Sequence, residues 1–147
     1  MDKIAFLRNT PLFAGIDATD VAEMSRYIFE KHLKRGEAIV NDGGRVQALY
    51  FVAEGVIKTY KISAEDKEQV LSVVRPGGFF NETLLDNKPA VASAEALGSV
   101  LLYGIRKTNL RTIMRKHKQI ANNLHNMLTW RIRQTVSLVE DLSFRSV

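Results

Sequence analysis

The chain has no cysteine. That excludes thiolate-held iron–sulfur clusters, thiol redox switches, cysteine zinc sites and disulfides. No apolar run approaches the roughly 20 residues a membrane helix needs. The opening Met1-Asp2-Lys3-Ile4-Ala5-Phe6 lacks the basic-then-apolar plan of a secretory signal. The expectation is a soluble, cytoplasmic protein. There is no repeat at a fixed period. Catalytic signatures are missing too: no nucleophile elbow, no phosphate-binding P-loop, no zinc-type histidine pair and no clustered carboxylates. These absences argue against an enzyme. Acidic residues are scarce at one end. Residues 106–147 hold only Glu140 and Asp141 against 9 Lys and Arg, whereas residues 1–105 hold 14 acidic against 12 basic, so the net charge of +5 is carried by the C-terminal segment. Such a segment faces nucleic acid, faces an anionic partner, or is a solvated helix surface.

What is present suits one globular domain: 147 residues, 46% hydrophobic and 25% charged. Residues 1–30 read as helical. Asp17 is a good N-cap, Asp20 lies in the first turn, and Val21, Met24 and Ile28 follow at helical spacing. Thr10-Pro11-Leu12-Phe13-Ala14-Gly15 breaks the pattern. From about residue 31 glycines recur between short β-branched or aromatic runs. These are Ala38–Val40, Leu49–Val52, Val56–Ile62, Gln69–Val74, Ala92–Leu97 and Val100–Ile105. Short strands with turn signals at this density indicate an all-β roll, barrel or sandwich.

From Thr108, read as an N-cap, the pattern is helical to about Leu142, with room for a bend near Lys116-His117. Ile120, Leu124, Leu128, Ile132, Thr135, Val139 and Leu142 fall at steps of three and four, an apolar seam that predicts a homodimer through this helix. Met127, Trp130 and Leu138 widen the stripe.

The order of these elements resembles the sensor region of Crp/Fnr-type transcription regulators and related cyclic-nucleotide-binding domains. The matching residues are Leu7 and Pro11-Leu12-Phe13; Lys34-Arg35-Gly36-Glu37-Ala38-Ile39; Asp42-Gly43; Tyr50 through Lys58; and Pro76-Gly77-Gly78-Phe79-Phe80-Asn81-Glu82. The resemblance implies an α+β, mainly β fold: a double-stranded β-helix (a jelly-roll-like β-roll) with N-terminal helices over residues 1–106. Residues 107–147 would be a short helix and a long dimerisation helix. Asp141 to Val147 resembles the hinge that leads into a winged helix-turn-helix, so the chain is expected to be a fragment that dimerises itself and meets DNA only through that further domain.

The same resemblance implies an effector pocket at Gly77, Gly78, Phe79, Phe80, Asn81, Glu82, Ala92, Ser93 and Thr135. A short helix would start near Phe79–Glu82, with its amides toward a ligand phosphate. Gly77-Gly78 would let the backbone approach the ligand. Glu82 falls on the glutamate that accepts from a ribose hydroxyl, Asn81 on a usual glycine, and Ser93 on the hydroxyl residue that assists a phosphate. Ala92 falls on the arginine that carries the strong charge-assisted phosphate contact, which argues against ordinary cyclic-AMP binding. Lys88 is the one other cation of the cassette. Thr135 falls on an adenine-contacting threonine, and Val136 replaces the polar residue that often follows. A haem-based sensor is the alternative, with His32 and His125 (His117 is the third histidine) as the axial-ligand candidates. A ligand-free dimerisation or interaction module is the other. The cofactor is thus left open between a cyclic nucleotide, haem and none, with no iron–sulfur cluster.

Overall fold

A computed structural model of the chain describes residues 2–145; Ser146 and Val147, the end of the expected hinge, lie outside the described residues. Helix α1 (Lys3–Arg8) is capped by Asp2, whose side chain accepts from the Ala5 amide. A 3-10 turn, Pro11–Phe13, leads to α2 (Ala18–Met24), where Asp17 caps as expected by accepting from the Asp20 amide. Val21 and Met24 point into the core. The helical reading overruns its element, however. Ile28 is buried as the first residue of a strand, β1 (Ile28–Leu33).

Seven further strands follow: β2 (Ala38–Val40), β3 (Ala48–Glu54), β4 (Ile57–Ile62), β5 (Glu68–Val74), β6 (Phe79–Phe80), β7 (Ser93–Ala96) and β8 (Val100–Arg106). They form two antiparallel four-stranded sheets, ordered β1-β8-β3-β6 and β2-β7-β4-β5. Each sheet joins strands distant in sequence, which is the pairing of a double-stranded β-roll. Leu49, Phe51, Leu102 and Ile105 of one sheet and Ile57, Ala94 and Ala96 of the other share one core, essentially without exposure. Each of the leucine, isoleucine and phenylalanine side chains contributes roughly 1.5–3 kcal/mol on burial.

Two glycines are steric requirements. Gly104 stands between Phe29 and Tyr50 in one row across β1, β8 and β3. A Cβ there would lie 2.5 Å from the Phe29 ring, which meets Tyr50 edge-on at 6.0 Å between centroids. Gly55 has φ +83°, and a Cβ on it would lie 2.3 Å from the Ser99 carbonyl oxygen.

Two helices complete the chain. Helix α3 (Lys107–Lys116) starts one residue before the expected cap Thr108, with Arg106 in the capping position and no side-chain cap. His117, at φ −132° and ψ 102°, breaks the helical run where a bend was expected, and α4 (Lys118–Arg145) follows. At 28 residues α4 extends roughly 42 Å. Its first half packs on the Pro11–Phe13 turn, where the buried Asn123 amide donates to the carbonyls of Leu12 and Ala14, both at 2.8 Å. Gln119 donates to the Asn123 Oδ1 at 2.8 Å, so the buried amide is satisfied on both sides.

This packing corrects the expected seam. Ile120 (0% exposed) and Leu124 (3%) are core residues of the same protomer, and Leu128 is half-buried against that core. Ile132 (64%) and Val139 (56%) are exposed, as is Leu142 in part. The seam is continuous in sequence and divided in space.

Candidate effector edge and its link to the long helix

The Pro76–Glu82 stretch turns tightly and runs back along β3. Gly77, at φ +92°, donates its amide to the Val52 carbonyl at 2.8 Å; the Gly78 amide donates to Arg75 at 2.8 Å, and its carbonyl accepts from Val52 at 2.9 Å. The two glycines therefore close a turn onto β3, with their amides bonded to the Val52 and Arg75 carbonyls. A Cβ on Gly78 would lie 2.8 Å from the Val74 side chain, so the turn itself demands glycine. Phe79 and Phe80 are strand β6 rather than the start of a helix, and Phe80 stacks on Tyr50 at 5.3 Å. The expected helix is a single 3-10 turn, Leu84–Asp86.

Asn81 has φ +70°. Asparagine is one of the few residues that tolerates this region, which accounts for its standing at a usual glycine. Its amide donates to the Ala48 carbonyl at 3.3 Å and fixes the turn.

This turn delivers Glu82 into a buried position (8% exposed) facing α4. There Arg131 donates through Nε to the Glu82 carboxylate and through Nη2 to the Phe79 carbonyl at 2.7 Å. The guanidinium also lies 5.1 Å from the ring centroids of both Phe79 and Trp130, which are 5.5 Å apart. A charge-assisted pair flanked by two aromatic faces is a strong local link. It ties the cassette in the roll to the middle of the long helix. Arg131 was not singled out from the sequence. The available signal was that Arg131 and Arg133 are the only charged residues between Lys118 and Glu140.

The other expected residues are placed less compactly. Ser93, in β7, accepts from the Asp42 amide at 2.9 Å. Ala92 is half-buried just before it. The cation that reaches this edge is Lys61 of β4, which donates to the Val91 carbonyl at 2.9 Å and pairs with Asp42 at 3.3 Å. Lys88 is exposed in its loop beside a different cleft. Thr135 is exposed one turn beyond Arg131, its hydroxyl donating to the Arg131 carbonyl at 2.9 Å. The histidines are not gathered. His32 is on β1 with its side chain 75% exposed, near Glu30 at 3.6 Å, and His125 is exposed on α4. Neither faces an apolar pocket, the setting an iron-ligating imidazole needs.

Phe79 and Trp130 also wall an apolar hollow of about 410 Å³, together with Pro11, Gly77, Gly78 and Met127. No helix among the described residues is long and apolar enough to cross a membrane.

This roll, with its glutamate-bearing turn tied to a long helix, defines a class. The chain belongs to the cyclic nucleotide-binding domain family, whose model matches residues 30–117. It is homologous to transcription regulators of the Crp/Fnr type. It is 29% identical to a cyclic AMP receptor protein of Thermus thermophilus over 139 residues, covering 94% of this chain and 64% of that protein. The crystal structure of the Thermus thermophilus catabolite activator protein superimposes with a TM-score of 0.82 over 92% of this chain and 64% of that one. The crystal structure of the N-terminal domain of a transcriptional regulator from Streptomyces coelicolor A3(2) matches with a TM-score of 0.74 and 30% identity, covering 91% of this chain and 94% of that domain. The chain thus spans somewhat less than two thirds of the curated receptor protein it matches.

Proposed function

We propose that this chain is the effector-sensing and dimerisation region of a cytoplasmic DNA-binding regulator of the Crp/Fnr type and that it catalyses no reaction. Residues 1–106 would be the sensor. Residues 107–147 would be the connector that pairs with a second copy through the exposed half of α4 and leads to a helix-turn-helix domain. The effector would sit between roll and helix near Glu82, Ser93 and Thr135.

The observation that carries this reading is the Glu82–Arg131 link. A ligand hydroxyl that takes the Glu82 carboxylate must share it with Arg131 or displace it, so occupancy of the roll is felt by α4. Such an effector switches the protein only by binding one roll–helix arrangement better than the other. The relative from Thermus is by name a cyclic AMP receptor, but ordinary cyclic-AMP binding is disfavoured in this chain. Ala92 removes the guanidinium, and Lys61 is already paired with Asp42.

A ligand-free dimerisation module is the second reading. It is favoured by one observation: Glu82 and Ser93 are satisfied within the chain, and no buried side-chain nitrogen or oxygen among the described residues lacks a partner. A haem-holding roll gains nothing from the exposed His32 and His125.

Trp130 is the one tryptophan of the chain and packs on Phe79 beside Arg131. Its fluorescence and the thermal midpoint, recorded against cyclic AMP, cyclic GMP, cyclic dinucleotides and haem with the absorption spectrum, test the proposal. A ligand at one hundred times its dissociation constant adds about 2.7 kcal/mol to folding and, on the sensor reading, shifts the Trp130 emission. A flat response across the panel, with no Soret band, supports the ligand-free reading.

A further inference from the structure

We propose that the cleft between the Gly43–Gln47 loop, the Asn87–Pro89 loop and the start of α3 binds a small polyphosphorylated anion. The cleft has a volume of about 520 Å³, within the range of small-molecule sites. Arg45, Lys88, Arg106 and Lys107 line it, and no carboxylate does.

The arrangement of charge is what points to a ligand. Asn87, in the left-handed region at φ +60°, offers one amide oxygen to two cations: Lys107 Nζ and Arg111 Nη2, each at 3.2 Å. Arg111 also donates to the Leu85 carbonyl at 3.4 Å, and Arg106 is held over the Phe29 ring at 4.9 Å. Among the described residues none of these five cations is within 4 Å of a carboxylate, whereas Lys58, Lys61 and Arg131 all are. The nearby Asp86 carboxylate accepts instead from the Lys88 backbone amide at 2.9 Å. Two positive groups converging on one neutral oxygen repel each other, and an anion beside them attracts both. Four of them, Arg45, Lys88, Arg106 and Lys107, come from two loops and a strand–helix junction and line one concavity, with Arg111 of α3 behind Asn87. That geometry suits several phosphate groups on one compact molecule better than a flat acidic protein surface. Glu82, Ser93 and Thr135 do not line this cleft, so it is separate from the effector edge.

Isothermal titration calorimetry of the 147-residue chain with inorganic tripolyphosphate at low salt tests the site. Orthophosphate, ATP and a polyglutamate peptide are titrated in parallel. The expected result is saturable one-to-one binding of tripolyphosphate, at least tenfold weaker binding of orthophosphate, and weakening with added salt. Lys88→Glu, in an exposed loop, is expected to weaken tripolyphosphate at least tenfold with an unchanged unfolding midpoint, and Lys107→Gln to act in the same direction. ATP binding tighter than tripolyphosphate supports the site with a nucleotide as its source, and equal binding supports it with the phosphate chain alone as the determinant. Absence of binding at low salt overturns the proposal, as does binding that Lys88→Glu leaves unchanged. Loss of binding in Arg131→Ala alone would move the ligand to the effector edge and likewise overturn it. Polyglutamate binding more tightly than tripolyphosphate overturns it in favour of an acidic protein partner.

Discussion

The two halves of α4 carry the same apolar period in different surroundings. In the first half Ile120, Leu124 and Met127 are at most 3% exposed, and Asn123 is buried with all its polar atoms bonded. In the second half Ile132, Val136 and Val139 are each more than half exposed. Arg131 lies near the border, joined to Glu82 of the roll. The difference shows that one stripe can serve two surfaces in turn: first the protomer's own roll, then, on the proposed reading, a second copy.

The largest effect is expected in the anchored half. Leu124→Ala removes a core side chain and is expected to cost about 2–5 kcal/mol, read as a drop in the urea midpoint. Arg131→Ala leaves the Glu82 carboxylate buried without its partner and is expected to cost about 1–3 kcal/mol. Combining it with Glu82→Gln should recover part of that loss, because the stranded charge is gone; additive losses in denaturant titrations would mean that the pair is not a coupled unit. Asn123→Ala removes donors to the Leu12 and Ala14 carbonyls and is expected to cost about 1 kcal/mol, with Trp130 emission little changed. The smallest effect on folding is expected in the exposed half. Ile132→Glu with Val139→Glu should move protomer stability by no more than about 0.5 kcal/mol per site, yet, on the proposed reading, sedimentation should show self-association lost relative to the unsubstituted chain. An unchanged dimer would place the self-association surface elsewhere and break the proposed division of α4.

The six strands that alternate clearly or form short β-branched runs were found within one or two residues, and Asp17 was found as a cap, because those signals are local. β1 was missed because Glu30, Lys31 and His32 in its middle face solvent, and what makes it a strand is its row of partners in β8. β6 was missed because two residues carry no period. At the effector edge Glu82 and Ser93 were named, but their partners were not. Arg131 is 49 positions from Glu82, and Asp42 is 51 from Ser93.

By itself the sequence determined the order of the elements, the glycines at the tight turns, the charge imbalance toward the C-terminus and the family. All of these reside in residue type and spacing along the chain. The tertiary structure alone decided which half of the apolar stripe is core, which cation meets the buried glutamate, and which cations are left without a carboxylate. Burial and pairing depend on what distant segments bring alongside, and a helical period is the same whether the face it marks is covered or bare.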